Sequence, residues 1–172
     1  MNIREAEGLI RRQQTETAFA WDAAGRFVLR KDGARDRISF EDAEIALLRG
    51  TIFTHNHPQG LEFAGDDPRS YGNSFSMQDL RLACYAELAE LRVVTPRLRF
   101  SLKPPATGWD FAYWLAVMEP IYLRHKAEVS RELREAASSG TMTLAQAIAA
   151  HFHSICSRVS TEVGLEYRRE ED

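Results

Sequence analysis

Thr51-Ile52-Phe53-Thr54-His55-Asn56-His57-Pro58 is an apolar, β-branched run that ends in two histidines. Such a run predicts a buried strand over residues 51–54. Side chains two positions apart on an extended chain point to the same face, so His55 and His57 should project together from the end of this strand. Two imidazoles on one side are well suited to hold one metal ion.

A third ligand is offered by Phe75-Ser76-Met77-Gln78-Asp79. Ser76 begins a predicted helix over residues 76–91, with apolar side chains at helical spacing. Taken alone, Ser76 and Asp79 form a helix-capping pair. A carboxylate in the first turn is also aimed outward at a cation, so both roles can hold. Two histidines and an aspartate, with water in the fourth position, are the ligands of a catalytic Zn²⁺ site.

Together these residues resemble a known family. His55-Asn56-His57-Pro58, Gly60 and Ser76-x-x-Asp79-Leu80 are similar to the signature of the JAB/MPN/JAMM zinc metallopeptidases, especially the RadC-like and phage-type bacterial branch. The resemblance implies that His55, His57 and Asp79 bind zinc and that Ser76 helps to hold the oxyanion. It also implies an upstream glutamate on an early strand as the general acid/base.

The chain departs from the family pattern in the segment between His57 and Ser76, which is longer than usual. Residues 61–73 are rich in Gly, Pro and Asp and are predicted to be a loop. Asp67 lies close to where a shorter motif would place its carboxylate, so it is the rival third ligand. Asp79 is preferred because a serine precedes it by three residues and an apolar helix follows it. The loop itself could be a lid, a substrate-selecting insertion or an idle surface loop.

Five glutamates precede the histidines, namely Glu5, Glu7, Glu16, Glu41 and Glu44. Glu16 is the preferred general base, because it begins a β-rich run over 15–22 that turns into a second strand over 26–31. Glu41 and Glu44 lie in a predicted helix over 39–48 and are assigned to a solvated face. An edge-strand glutamate without catalytic function is the alternative for Glu16.

The resemblance implies hydrolysis of a peptide or isopeptide bond, with substrates that include the tails of ubiquitin-like proteins. Zinc would activate water, and Glu16 would carry its proton to the leaving amine. Two alternatives are also compatible with the sequence. The chain could be a non-catalytic binding or assembly module of a phage or defence system, or a metal-dependent nuclease suggested by the letters His-Asn-His.

The order of predicted elements indicates an α+β fold with a JAB/MPN-like mixed sheet flanked by helices. Further strands are predicted at 92–95 and 98–102, which gives at least five. Residues 1–103 are assigned to the metallopeptidase core and 104–172 to a helical extension, packed on the core or used as a partner arm. That extension contains a helix from Trp109 interrupted at Pro120, a second helix capped by Thr143, and a charged, frayed tail over 165–172.

Composition agrees with a modest enzyme of one domain. The 172 residues are 44% hydrophobic with a net charge of −3, which gives no electrostatic reason to expect nucleic acid as a partner. No apolar run reaches the roughly 20 residues of a membrane span and no signal peptide is evident, so a cytoplasmic location is expected. The partner expected is a protein or peptide substrate, and the aromatic C-terminal helices would also suit a homodimer contact.

Overall fold

A six-stranded mixed sheet runs through the computed structural model, which describes residues 1–171. Its strand order is β2-β1-β3-β4-β5-β6, and every neighbouring pair is antiparallel except β3 and β4. The strands are β1 (Thr17–Trp21), β2 (Phe27–Asp32), β3 (Ile52–Asn56), β4 (Glu90–Val94), β5 (Leu98–Lys103) and β6 (Glu166–Glu171). The predicted α+β fold with a mixed sheet is confirmed, and the five predicted strands form within two residues of their expected bounds.

The helices lie on both sides of this sheet. They are α1 (Ile3–Ile10), α2 (Asp42–Leu47), α3 (Met77–Tyr85), α4 (Phe111–Tyr113), α5 (Glu119–Ser138) and α6 (Leu144–Val163). Two 3₁₀ turns, Pro58–Glu62 and Pro68–Tyr71, occupy the segment between β3 and α3. Because parallel strands need a crossover, the chain between β3 and β4 leaves the sheet, and α3 forms part of that crossover. No helix within residues 1–171 combines the length and the apolarity needed to cross a membrane.

Two apolar clusters cover the two faces of the sheet. Ala6 and Ile10 of α1 pack with Phe19, Trp21 and Val94 on one face. The larger cluster, on the other face, joins sheet residues to α3 and the C-terminal helices, and it includes Phe53, Leu91, Phe100, Trp114, Tyr122, Ile155 and Val159. Residues on both sides of position 103 therefore share one core.

The predicted frayed tail is wrong for residues 166–171, which form the edge strand β6. This strand pairs antiparallel with β5 along its whole length, from Lys103↔Glu166 to Leu98↔Glu171. Tyr167 packs against Phe100 with the two rings stacked, while most neighbours of Tyr167 on the strand are charged and exposed. Charged side chains are suited to an exposed edge because they discourage pairing with other chains. The last residue of the predicted tail, at position 172, lies outside the described residues.

The helix predicted over 76–91 ends earlier, at Tyr85. Glu87 adopts φ +48°, which breaks the helix, and Leu88 and Leu91 then belong to the turn and to β4. These leucines continue the helical spacing by coincidence, because a buried strand also supplies closely spaced apolar residues. The helix predicted to be interrupted at Pro120 is irregular just before that residue, where a π-helical turn over Trp114–Met118 leads into α5.

Candidate metal centre

The end of β3 delivers the two histidines as predicted from their spacing. His55 lies in β3 and His57 directly follows it, with the His57 N–H bonded to the Val94 carbonyl of β4 (2.9 Å). Both imidazoles point to the same side, with their Nε2 atoms 3.0 Å apart. They are 3% and 6% exposed, so two nitrogens face each other in a site with little water. Such an arrangement needs a shared cation or proton between the lone pairs.

Asp79 completes a triangle of ligand atoms with the histidines. Its Oδ1 lies 3.1 Å from His55 Nε2, and its Oδ2 lies 3.5 Å from His57 Nε2. In a tetrahedral zinc site with bonds of about 2.0–2.2 Å, neighbouring ligand atoms are about 3.3–3.6 Å apart. The separation of the two nitrogens, and the distance of each nitrogen from its nearer Asp79 oxygen, are of similar size, with a different Asp79 oxygen facing each histidine. His55, His57 and Asp79 therefore form a group that could hold a metal ion.

The segment that precedes α3 fixes the orientation of the His57 ring. Its Nδ1 lies 3.1 Å from the carbonyl oxygen of Asn73, so Nδ1–H is the donor and Nε2 keeps its lone pair for a metal. Burial alone would lower the pKa of His57. The hydrogen bond and the negative charge of Asp79 outweigh burial and raise that pKa above its ordinary value. Without a metal, the proton on His57 is thus held by the same carboxylate that would bind the ion.

Asp79 and Ser76 form the capping box predicted from their spacing. The Ser76 N–H donates to Asp79 Oδ2 (2.6 Å), and Ser76 Oγ accepts from the Asp79 N–H (3.2 Å). The cap holds the carboxylate at the site in one rotamer. Although burial would raise the pKa of Asp79, its contacts with the two histidines keep that pKa well below the ordinary range. Asp79 is therefore ionised and ready to bind a cation at neutral pH.

Glu16 lines the same cavity as the three ligands, just before β1. Its side chain is 6% exposed. Burial raises the pKa of Glu16 against the opposing charges of His55 and His57. A buried carboxylate with a raised pKa beside a metal site has the properties of a general base.

Asn56 holds Glu16 in place, a role that the sequence did not reveal. Asn56 lies between the two histidines and points to the opposite face of β3. Its Oδ1 accepts from the Thr17 N–H (2.7 Å), and its Nδ2 donates to the Thr15 carbonyl (3.0 Å). The amide therefore fastens the backbone on both sides of Glu16. The alternation of strand side chains was the available signal, because it places Asn56 away from the metal.

Asp67, the rival third ligand, does not join the metal group. It caps the 3₁₀ turn Pro68–Tyr71 by accepting from the Arg69 N–H (2.8 Å). Its other oxygen accepts from the Arg69 guanidinium (2.6 Å), and this partner lowers the pKa of Asp67. Both carboxylate oxygens are therefore used within the turn, and Asp79 is the carboxylate beside the histidines.

The ligands, Glu16 and Ser76 line one cavity of about 530 Å³. Other lining residues come from the β2–α2 connection, from β3, from the segment between β3 and α3, from α3 and from α6, and they include Ile38, Phe40, Phe53, Gln59, Ser74, Leu82 and Phe152. The wall is thus mixed, with aromatic and aliphatic side chains around a polar floor. The cavity is large enough for a segment of polypeptide rather than only an ion.

No protein-family model matches this chain, and comparisons with curated proteins and with solved structures give no match either. The similarity to JAB/MPN metallopeptidases thus rests on the motif residues. The geometry shows an α+β protein with a His-His-Asp group that could hold a metal ion.

Proposed function

We propose that this protein is a zinc-dependent hydrolase of the JAMM type that cleaves a peptide or isopeptide bond. The observation that carries the proposal is the close approach of His55, His57 and Asp79 to one another beside a buried glutamate in one cavity. Three protein ligands leave a fourth position open, as catalytic zinc sites do and structural zinc sites do not.

The ligand set favours zinc among the common ions. Two imidazole nitrogens and one carboxylate suit a borderline ion, whereas magnesium and calcium prefer oxygen ligands alone. When bound, zinc would lower the pKa of water and polarise the scissile carbonyl. The Asn73 carbonyl and the Ser76 N–H support His57 and Asp79 from outside the ligand set, whereas Nδ1 of His55 has no such partner within residues 1–171.

Glu16 would act as the proton carrier of the reaction. Its raised pKa lets it take a proton from the attacking water and give it to the leaving nitrogen. Because Asn56 holds the backbone on both sides, Glu16 needs little reorganisation as the substrate reacts.

Ser76 would stabilise the negative charge that develops on the carbonyl oxygen. Its Oγ accepts from the Asp79 N–H, which leaves the hydroxyl hydrogen available to the cavity. A hydroxyl held in place by a helix cap is a preorganised donor, and such donors act mainly in the transition state.

A polypeptide substrate is favoured by Gln59, which follows the His57-Pro58 pair and lines the cavity. Its Oε1 is buried and has no hydrogen-bond partner within residues 1–171. A buried acceptor of this kind costs free energy unless a ligand satisfies it, and a backbone N–H of a peptide would do so. The resemblance to the JAMM family extends the substrate class to the tails of ubiquitin-like proteins.

The first test is the zinc content of the purified protein by mass spectrometry, after chelation and zinc repletion. We expect about one zinc per chain in the wild type and loss of zinc in His57→Ala and Asp79→Ala, because a catalytic site has only three protein ligands. Asp67→Ala is the matched control and should keep its zinc, since Asp67 binds Arg69. Zinc retained by Asp79→Ala and lost by Asp67→Ala would overturn the ligand assignment.

The second test separates catalysis from binding. Glu16→Gln should keep zinc and lower the hydrolysis of peptide and ubiquitin-like substrates by about 10²–10⁴-fold, the usual contribution of a general base. Glu41→Gln, an exposed glutamate outside the cavity, should leave the rate unchanged. Undiminished turnover in Glu16→Gln would disprove the role of Glu16. Zinc and peptide binding without any cleavage by the wild type would identify a non-catalytic binding module.

A further inference from the structure

A second cavity of about 380 Å³ lies between α6, the turn Pro68–Tyr71 and the last two strands. Its lining includes Tyr71, Phe100, Gln146, His153, Arg169 and Glu171. None of these residues lines the metal cavity. The two spaces are therefore separate, and what lies between them determines whether they communicate.

Three side chains in a hydrogen-bonded row connect the two cavities. Ser74 lines the metal cavity, and its Oγ lies 2.8 Å from the hydroxyl oxygen of Tyr167. The same hydroxyl lies 2.8 Å from Nδ1 of His153, which lines the second cavity. Ser74 is 2% exposed, so the row starts in the interior.

The chemistry of the three groups permits proton transfer along the row. Serine and tyrosine hydroxyls both donate and accept, and a neutral imidazole accepts on one nitrogen while it carries a proton on the other. Burial and the positive charge of Arg169 lower the pKa of His153, which keeps it neutral at physiological pH. The other groups that face His153 are Tyr167 and the Phe100 ring, with Glu171 across the cavity. The thiol of Cys156 borders the row at Ser74, with which it shares a side-chain hydrogen bond, and it also donates to the Phe75 carbonyl.

We infer that Ser74, Tyr167 and His153 form a proton-transfer chain from the metal cavity to the second cavity. The inference rests on the proposed hydrolysis, which adds one water across an amide. The hydroxyl joins the acyl carbon, the C–N bond breaks, and one proton reaches the amine through Glu16. The product is then a carboxylic acid, whose remaining proton can leave through the row while the polypeptide occupies the metal cavity.

The proton passes along the row in four steps. The acid gives its proton to Ser74 Oγ as Ser74 gives its own to the Tyr167 oxygen, and Tyr167 gives its own to His153 Nδ1. The imidazole then releases the proton on Nε2 to water in the second cavity. Rotation of the two hydroxyls and exchange of the imidazole protons with water restore the starting arrangement.

The test compares zinc-loaded wild type with Tyr167→Phe and His153→Ala. We expect kcat to fall by about tenfold or more in both variants, because positioned proton transfer contributes at least that much. Added imidazole should restore His153→Ala but not Tyr167→Phe. His151→Ala is the matched control: His151 is also half-buried on α6, yet it contacts Ser130 and not Tyr167, so its kcat should not change.

A readout independent of turnover is the ¹⁵N resonance of His153. Zinc loading should shift it in the wild type and not in Tyr167→Phe, because a hydrogen-bonded row transmits polarisation. Wild-type hydrolysis with an unchanged kcat in Tyr167→Phe would overturn the chain while leaving the proposed function intact. If the wild type hydrolyses nothing, the proposed function fails, and the absence of a zinc-dependent His153 shift would then overturn the chain as well.

Discussion

Ser76 holds two positions at once, as the cap of α3 and as a wall of the metal cavity. Thr143 caps α6 in the same way, with a side chain that accepts from Gln146 and no place in the cavity. Substitutions of Ser76 and Thr143 therefore distinguish an effect on helix capping from an effect on the proposed reaction. A residue that acted only as a cap would affect stability alone.

We predict that Ser76→Ala and Thr143→Ala each lower the free energy of unfolding by about 1 kcal/mol, the usual value of a cap. Only Ser76→Ala should also lower kcat, by about 10²-fold, because it removes a donor to the developing oxyanion. Urea unfolding and steady-state kinetics on both variants measure the two effects. Equal kcat values in the two variants would show that Ser76 acts only as a helix cap.

The pH dependence of the reaction should reflect the protonation state of Glu16. Its raised pKa means that the carboxylate, the form that accepts a proton, appears only above the ordinary value of 4.5. We therefore expect kcat/KM to rise with pH along a limb centred above that value. Zinc content measured over the same pH range is the control, since a limb that merely followed the loss of zinc would report protonation of the ligands instead.

At the scale of elements, the segment between β3 and α3 is pinned to the sheet. Gly72 has φ +78°, and a Cβ there would lie 2.7 Å from Thr95 Cβ. Thr95 Oγ1 donates to the Tyr71 carbonyl (2.6 Å). Asn73, the residue after Gly72, orients the His57 ring through its carbonyl oxygen. The inserted segment thus supports His57, one of the three residues that could hold a metal ion.

Gly72→Ala should weaken both the fold and the metal site. Gly25 is the matched control, because it has nearly the same φ of +75° but nothing within 4 Å of an added Cβ. We expect Gly25→Ala to cost about 1–2 kcal/mol of unfolding free energy from the left-handed backbone alone. Gly72→Ala should cost about 1–3 kcal/mol more from overpacking, and it alone should lower zinc affinity. Calorimetric zinc titration of both variants decides whether the segment supports His57.

For the whole molecule, the sequence predicted what depends on local spacing. The period of a strand placed His55 and His57 together, and the capping pattern placed Asp79 at the start of α3. The sequence did not predict long-range strand pairing. The residues of β6 were interpreted as a charged tail because an edge strand contains few apolar residues. Asn73 was missed for a related reason, since its contribution is a backbone carbonyl that every residue type possesses.

Alkaline pH should destabilise the whole fold. Burial raises the pKa of Cys84 and of Cys156 from the ordinary value of 9.0 to about 12, and it raises the pKa of Tyr167 well above 10.0. These groups ionise earlier in the unfolded chain, so the stability present below about pH 9 is lost as pH rises toward the folded values. We expect a loss of up to about 1.4 kcal/mol per pH unit for each group. Urea unfolding under reducing conditions measures this loss. In Cys84→Ala, the decrease in unfolding free energy per pH unit should be smaller by the contribution of one group.

The position of β6 also has a consequence for biosynthesis. Tyr167 meets Ser74 across 93 positions of sequence, so the ribosome needs roughly 5–20 s after making Ser74 before that partner exists. From the time β5 is made until β6 follows, β5 presents unpaired backbone groups at the rim of the sheet. The nascent chain thus contains His55, His57 and Asp79 early, while one edge of its sheet stays open to other chains, and chaperones would bind there.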